Sequence, residues 1–265
     1  MSVLEPLAAR YAYWLGLPAE STVLMRSQRE RALRAEDTSD EDPAKVRAMP
    51  VILRMERAEP PSRTALLEAA AAAAVAVCLD ERAEPDGDWH EPLKAWIDGR
   101  IRKVARRARG AHWQAVQELP GRTIERDGAE ARALLPCRVV DTPKEVSRLQ
   151  ISGSELPADE PGPAPDGLPR LLLNPEVSMT VGKGAAQVGH ATMILASLLD
   201  EAERAAWAET GFRCSVRTPP VATWKALCPV EDPEGSWRRD GVVAVRDAGF
   251  TEVDPGTITV LAQRA

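Results

Sequence analysis

The sequence predicts an α/β fold built from two similar units in tandem, and two observations support this prediction. The segment AWIDGRIRKVARRARGAHWQAV, with Trp96 and Trp113 seventeen residues apart, is matched by AWAETGFRCSVRTPPVATWKAL, with Trp207 and Trp224 at the same spacing. Apolar strand-like runs also alternate with helical segments in both halves, which is typical of an open sheet with helices on its faces. We interpret the tryptophans as core side chains that also mark a duplication.

Composition divides the chain into four parts. Residues 2–16 have apolar side chains at helical spacing, so we expect an amphipathic helix that docks on the rest of the protein. Residues 27–48 are densely charged, as in a linker or a solvated helix, and residues 152–169 contain five prolines and three glycines. The predicted parts are an N-terminal helix with a charged linker (1–48), a first lobe (49–152), a Pro/Gly-rich linker (153–168) and a second lobe (169–265).

Each lobe is predicted to run strand, helix, helix or loop ending at a tryptophan, strand, variable segment, strand and strand. In the first lobe, the opening strand lies in VILRMERAEPPSR, and the closing strands are CRVVD, which ends at Asp141, and RLQIS. In the second lobe, the corresponding segments are LLLNPEVSMTVGK, then VVAVRD, which ends at Asp247, and TITVLAQ. The lobes differ mainly in their loops, since the first has an acidic insertion, ERAEPDGDWHEP.

The composition limits the classes of function. A formal net charge of −6 argues against binding nucleic acid over the whole surface, although a local basic patch is compatible with it. The cysteines lack metal-ligand or disulfide spacing, so we expect reduced core thiols and no metal site; they are Cys78, Cys137, Cys214 and Cys228. No signal-like N-terminus or membrane-length apolar run is present, which predicts a cytoplasmic protein with no membrane partner.

The residues best suited to chemistry lie in the second lobe. In MTVGKGAAQVGHATM, a lysine between two glycines opens a helix, where free backbone N–H groups favour an anion. Lys183, Gln187 and His190 follow at i, i+4 and i+7, so their side chains share one face of that helix. The alternative interpretation is a solvated lysine, a surface glutamine and a core histidine.

A second group of polar residues begins at the end of the segment VVAVRD. Asp247 is the last residue of this segment, just after its apolar strand residues, and strand ends are where open α/β sheets place their ligands. Thr251 lies four residues later, and Thr259 follows a Pro-Gly turn in the last strand. Asp and Thr are also common turn and cap residues, so this pattern alone leaves a purely structural role open.

Together these two segments resemble the type II peptidyl-tRNA hydrolase family, which archaea and eukaryotes share. The family signature G-K-x-A-A-Q-x-x-H-A is found from Gly182 to Ala191, and D-A-G-x-T-x-x-x-P-G-T-x-T-V-L from Asp247 to Leu261. Both motifs are long and occur in the family's order. Moreover, the signature Lys183 is one of only six lysines in a chain that has 28 arginines.

The resemblance implies a small mixed sheet with helices on both faces and hydrolysis of the ester between a peptide and the 3′ ribose of tRNA, with no cofactor and no metal. The active-site positions that it transfers are Lys183, Gln187, Asp247, Thr251, Thr259 and His190. Asp247 would orient a water or polarise a partner, while Lys183 and Gln187 would stabilise the oxyanion. The family's helix between its second and third strands falls on CPVEDPEGSWRRDG, whose composition predicts a shortened or remodelled element.

The first lobe is predicted to be a degenerate copy without catalytic function. The repeat aligns Arg63 with Lys183, Leu67 with Gln187, Ala70 with His190 and Asp141 with Asp247. A leucine cannot hold a polar transition state as a glutamine can. The predicted fold is therefore a tandem pair of small, mixed-sheet, three-layer α/β domains. We expect them to form an intramolecular pseudo-dimer, and hence a monomeric protein, in place of the family's homodimer.

The first lobe also contains the strongest basic segment, GRIRKVARRARG, which has no acidic residue. Two interpretations are equally open: contact with the tRNA backbone, and a charged edge strand that resists edge-to-edge pairing. The candidate tRNA-binding residues are Arg100, Arg102, Lys103, Arg106, Arg107 and Arg109.

The sequence leaves three functional hypotheses. The first is an ester hydrolase that recycles tRNA by acting on peptidyl-tRNA or an N-blocked aminoacyl-tRNA. The second is a weak or inactive relative that binds a ligand, tRNA or a protein partner. The third is a different acyl-transfer or hydrolytic reaction, because a fold does not fix a function.

Overall fold

The computed structural model describes residues 2–15, 41–153, 155–247 and 252–265. This part of the chain forms two mixed sheets with helices packed against them, which confirms the predicted α/β fold. The first sheet contains β1 (Arg47–Arg54), β2 (Lys103–Ala108), β3 (Gly121–Arg126), β4 (Ala129–Leu134) and the two-residue β5 (Cys137–Arg138). The second contains β6 (Arg170–Leu173), β7 (Ser215–Arg217), β8 (Val242–Arg246) and β9 (Ile258–Gln263).

The two sheets have the same strand order. The first runs β2–β1–β4–β3, with β5 paired to β1, and the second runs β7–β6–β9–β8. In each sheet the first two strands of this order are parallel, and the remaining pairs are antiparallel. The central strands β1 and β9 are buried over most of their length, so the core of each lobe lies against the middle of its sheet.

The closing strands of the first lobe are not the segments that the sequence predicted. CRVVD forms the short β5 and a 3-10 turn, Val139–Asp141, while RLQIS follows a single helical turn and makes an isolated bridge at Gln150. The closing strands of this lobe are instead β3 and β4, which Asp127 (φ +46°) and Gly128 (φ +81°) join. The alignment of Asp141 with Asp247 is therefore wrong, because the strand that corresponds to β8 is β3, which ends just before Asp127.

Most of the α-helices are short, and all but the first lie between strands in the chain. The α-helices are α1 (Glu5–Trp14), α2 (Arg63–Cys78), α3 (His90–Ile97), α4 (Gly110–Gln117), α5 (Lys144–Ser147), α6 (Val181–Leu198), α7 (Glu201–Glu209), α8 (Val221–Leu227) and α9 (Pro233–Asp240). The segment predicted to be shortened or remodelled contains α9, which Asp232 caps at its N-terminus and Gly241 (φ +61°) ends at its C-terminus. No helix in the described ranges is long and apolar enough to cross a membrane.

The two long helices, α2 and α6, pack directly on each other and join the lobes. Small residues make this close approach possible, since a Cβ on Gly184 would lie 3.2 Å from Leu67 Cδ2, and one on Gly189 would lie 3.1 Å from Ala74 Cβ. The hydroxyl of Thr192, fully buried on α6, donates a hydrogen bond of 2.8 Å to a main-chain carbonyl of α2. The alanine-rich sequence of α2 thus serves helix packing between the lobes.

The tryptophans of the repeat are core residues in both lobes. Trp96 Nε1 donates to the carbonyl of Arg102 at 3.0 Å, and Trp207 Nε1 donates to the carbonyl of Arg213 at 2.7 Å. Both bonds span six residues, and the second tryptophan of each pair is also buried. The interpretation of these residues as core anchors is confirmed.

The N-terminal helix and the Pro/Gly-rich linker both contact other parts of the protein. Helix α1 packs on α6 through its apolar side, and Arg10 donates to the carbonyl of Gly99 at 3.4 Å. In the linker, the carboxylate of Asp159 accepts from the main-chain N–H of Thr64 at 2.9 Å and from its hydroxyl at 2.6 Å, at the start of α2. Most of the predicted charged linker, up to residue 40, lies outside the described residues.

Candidate functional site

The candidate site is built around the N-terminus of α6. The side chain of Thr180 caps this helix by accepting from the main-chain N–H of Lys183 at 3.1 Å. Thr180 is itself held by Glu252, whose carboxylate accepts from its main-chain N–H at 2.9 Å and from its hydroxyl at 2.6 Å. The cap therefore fixes both the start of α6 and the loop that precedes β9.

A buried ion pair connects α6 to the end of β8. Lys183 Nζ lies 2.5 Å from Asp247 Oδ2, and both side chains are only 7% exposed. The backbone of Asp247 is held from the other side of the loop, because its N–H donates to the carbonyl of Thr257 at 2.9 Å and its carbonyl accepts from Gly256 at 2.7 Å. In such a pair, removal of one partner leaves the other as an uncompensated buried charge.

Gln187 extends the ion pair into a chain of hydrogen bonds. Its amide nitrogen Nε2 donates to Asp247 Oδ2 at 2.7 Å, and its Oε1 accepts from the hydroxyl of Thr259 at 2.6 Å. Gln187 is 3% exposed and Thr259 is fully buried. Because the hydroxyl donates to one end of the amide, the other end must present its N–H groups to the carboxylate.

The structure brings four of the predicted residues together: Lys183, Gln187, Asp247 and Thr259. His190 lies further along the same helix face, where its Nδ1 is 3.1 Å from Nζ of Lys103 in the first lobe. Burial lowers the pKa of His190 well below its ordinary value, and the charges of Lys103 and Lys183 lower it further, so the ring is neutral. Thr251 lies outside the described residues.

Two supporting residues were not predicted. Asn174, directly after β6, donates from its N–H to the carbonyl of Thr259 at 3.0 Å and from its Nδ2 to the carbonyl of Ile258 at 2.8 Å. Its position as a polar residue at the end of a strand could have identified Asn174 from the sequence. Glu252 has no comparable signal, since its contact with Thr180 joins positions 72 residues apart.

The basic segment of the first lobe does not form one continuous exposed surface. Its residues alternate across the edge strand β2, and several have partners within the protein. Both Arg100 and Arg102 form ion pairs with Glu41, at 2.9 Å and 2.5 Å. Lys103 faces α6 instead.

Further along β2, the arginines contact the segment that follows α5. Arg106 Nη1 donates to the carbonyl of Leu149 at 2.8 Å, and burial lowers its pKa. The guanidinium of Arg107 donates to the side chain of Gln150. Arg109 is the partly exposed residue before α4. The edge-strand interpretation accounts for these contacts, and it leaves only part of the segment accessible to a polyanion.

The arrangement in the second lobe is suited to acyl chemistry. It combines a carboxylate with two kinds of N–H donor, an ammonium and an amide, in surroundings from which water is largely excluded. Preorganised donors of this kind stabilise the negative charge that develops on a carbonyl oxygen. Within the described ranges, no cluster of three or more His, Cys, Asp or Glu side chains could hold a metal ion.

Comparison with known proteins identifies the region that contains this site. Residues 170–264 match the model of the family described as "Peptidyl-tRNA hydrolase PTH2". The matched region begins at β6, ends after β9, and includes all four residues that the structure brings together. The C-terminal region is therefore of the PTH2 type. No solved structure matches the chain.

Proposed function

We propose that the second lobe hydrolyses the ester bond between tRNA and a peptide or N-blocked aminoacyl group, releasing free tRNA in the cytoplasm. The family match to residues 170–264 supports the class of reaction. The observation that carries the proposal to this chain is the buried network of Lys183, Gln187, Asp247 and Thr259, in which both donors converge on one carboxylate oxygen.

In the proposed mechanism, Asp247 orients a water molecule and accepts a proton as the water oxygen attacks the ester carbonyl carbon. Lys183 and Gln187 donate to the carbonyl oxygen as it becomes negatively charged. The bond between the carbonyl carbon and the 3′ oxygen of the ribose then breaks, and the proton passes to that oxygen. Thr259 keeps the amide of Gln187 in the donating orientation, and Thr251 and His190 are proposed as further residues of the site.

Contact with tRNA is proposed for the accessible part of the basic segment. Arg100 and Arg102 share an ion pair with Glu41, and Lys103 is directed toward α6, so we propose Arg106, Arg107 and Arg109 as the contacts. Charge reversal of Arg107 and Arg109 should weaken tRNA binding and reduce its salt dependence by about one counterion per lost phosphate contact. An unchanged salt slope would remove the segment from the tRNA interface.

We also propose that the two lobes are tandem copies of one unit and form an intramolecular pseudo-dimer. The shared strand order and the matching tryptophan hydrogen bonds support this proposal. Contacts in both directions between the lobes also support it, because the long helix of each lobe contacts the edge strand of the other. Glu68 on α2 accepts from the N–H of Val216 on β7 at 2.9 Å, and Lys103 on β2 reaches α6. Light scattering should show a monomer, and a tight dimer formed through the α2 and α6 faces would contradict the proposal.

The decisive experiment is release of N-acetyl-aminoacyl groups from tRNA by the purified full-length protein. Wild type should turn over, whereas Lys183→Ala and Asp247→Ala should lower kcat about 10²-fold to 10³-fold. Lys225→Ala is the matched control, because this lysine is two-thirds exposed and pairs only loosely with Glu176 at 3.7 Å. Circular dichroism establishes that each variant is folded.

The outcomes separate the hypotheses. If wild type and both site variants release at the background rate, the enzyme hypothesis fails. Binding of tRNA by that inactive wild type would then favour a non-catalytic relative. A loss of activity in Lys225→Ala as large as in the site variants would show that the assay does not report on this site.

A further inference from the structure

The first lobe inserts one lysine against the helix that bears the candidate site. Lys103, at the start of β2, places its Nζ 3.1 Å from Nδ1 of His190 on α6. Its stem lies over Gly189, where a Cβ would be 3.1 Å from Lys103 Cε and 3.2 Å from Cδ. A glycine at this position of α6 therefore provides the space through which a side chain of the first lobe reaches His190.

The lysine head is enclosed by groups from several elements. Lys103 Nζ lies 5.1 Å from the centre of the Trp96 ring, and the Cys78 thiol of α2 and the imidazole of His190 face it from the two long helices. Burial lowers the pKa of Lys103 to about 7, and burial raises that of Cys78 to about 12, so the thiol stays neutral. Lys183 is the other charge that acts on His190.

The contact has a specific consequence for the imidazole of His190. An ammonium has three N–H donors and no acceptor, so a charged Lys103 can only donate to Nδ1. A neutral imidazole that accepts at Nδ1 must hold its proton on Nε2. A neutral amine could also accept a hydrogen bond, and it would therefore permit either tautomer.

We propose that Lys103 is a positioning residue, supplied by the first lobe, that fixes His190 as the neutral Nε2–H tautomer. The single N–H donor of the ring is then on the nitrogen that does not face Lys103. His190 is three residues after Gln187 and seven after Lys183, so this donor belongs to the same polar helix face. The structural part of the proposal stands by itself, and its effect on turnover rests on the hydrolase function proposed above.

The tautomer is tested directly by NMR of the imidazole nitrogens. The chain has three histidines, and His190→Gln assigns the signal of interest. At pH 6, wild type should show Nδ1 unprotonated and Nε2 protonated. By pH 8.5, the nitrogen chemical shifts of Nδ1 and Nε2 should move toward each other as Lys103 loses its charge.

Two substitutions at Lys103 and one matched control complete the test. Lys103→Arg keeps a permanent charge and should hold the Nε2–H tautomer at both pH values, whereas Lys103→Met should give mixed tautomers at both. Lys144→Met, on the surface at α5, should behave as wild type. If Lys103→Met shows the Nε2–H tautomer of His190 at both pH values, the proposal is overturned.

Turnover provides the second readout. If wild type hydrolyses the ester, Lys103→Met should lower kcat about tenfold with KM unchanged, and Lys103→Arg should recover most of the loss. A wild-type kcat in Lys103→Met would overturn the catalytic effect. If wild type itself is inactive, the hydrolase function fails, while the NMR result still decides whether Lys103 sets the tautomer.

Discussion

Replacement of Gln187 by leucine tests the central hydrogen bonds of the candidate site. Leucine has a similar volume, and on the duplication proposed above it is the residue at the corresponding position of the first lobe. That residue, Leu67, lies four positions after Arg63, as Gln187 lies four after Lys183. The change removes the bond of 2.7 Å to Asp247 and the acceptor of the Thr259 hydroxyl, and it leaves the packing volume nearly constant. The expected effects on stability and on rate follow from these two losses.

The loss of stability can be estimated from the contacts. A hydrogen bond to a charged group contributes about 1.5–3 kcal/mol, and a buried hydroxyl left without a partner costs about 1–3 kcal/mol. Burial of the leucine side chain offsets about 1.5–3 kcal/mol of this sum. We therefore expect Gln187→Leu to lower the free energy of unfolding by about 1–3 kcal/mol. Loss of a donor to the developing oxyanion should lower kcat about 10²-fold to 10³-fold.

Urea denaturation measures the first quantity, and release of N-acetyl-aminoacyl groups from tRNA measures the second. Gln263→Leu is the matched control, because this glutamine is at the end of β9 and its amide donates only at the surface, to the carbonyl of Asp240 at 3.1 Å. A kcat for Gln187→Leu within about threefold of wild type would refute the role of the amide as an oxyanion donor.

Three further predictions concern stability. The pKa of His190 is lowered in the folded protein, so as the pH falls below about 6.5 its imidazole is protonated in the unfolded chain before it is protonated in the folded one. The free energy of unfolding should therefore fall by up to about 1.4 kcal/mol per pH unit. Urea unfolding between pH 7 and 5.5 should show a shallower loss in His190→Gln, and equal slopes would contradict the assignment. Thr192→Val should cost about 0.5–1.5 kcal/mol in urea unfolding, because it removes a buried bond between α6 and α2, while Thr218→Val at the surface should cost little. Asp159→Ala should lower Tm and speed proteolysis of the linker, because it removes hydrogen bonds to the start of α2; the fully exposed Asp166→Ala should do neither.

The fold could be predicted from the sequence where the pattern was local and repeated. The tryptophan spacing and the alternation of strands and helices correctly indicated two α/β lobes. The prediction failed at the end of the first lobe, where an aspartate after an apolar run was aligned with Asp247. A two-residue Asp-Gly turn, Asp127 and Gly128, was the stronger local signal for the final pair of strands.

The part of the candidate site that depends on local sequence spacing could also be predicted. Helical spacing placed Lys183 and Gln187 on one face, and in the structure both side chains contact Asp247. The bond from Thr259 to Gln187 joins residues 72 positions apart, and nothing in the local sequence predicts such a pairing. Strand periodicity could have shown that neighbouring residues of the basic segment point to opposite sides of β2.

The differences between the lobes suggest what the first lobe contributes. On the duplication proposed above, the first copy keeps the helix that packs between the lobes but has Leu67 where the second has Gln187. Leu67 then packs against Gly184, in the first turn of α6, where the site begins. Lys103, from the same lobe, meets His190 two turns further along. A copy that no longer needs a polar site is free to supply apolar packing at one point of α6 and a lysine N–H donor at another. The helix of the candidate site would therefore depend on the first lobe for more than burial of its apolar face, and separate changes at Leu67 and Lys103 should affect stability and turnover to different extents.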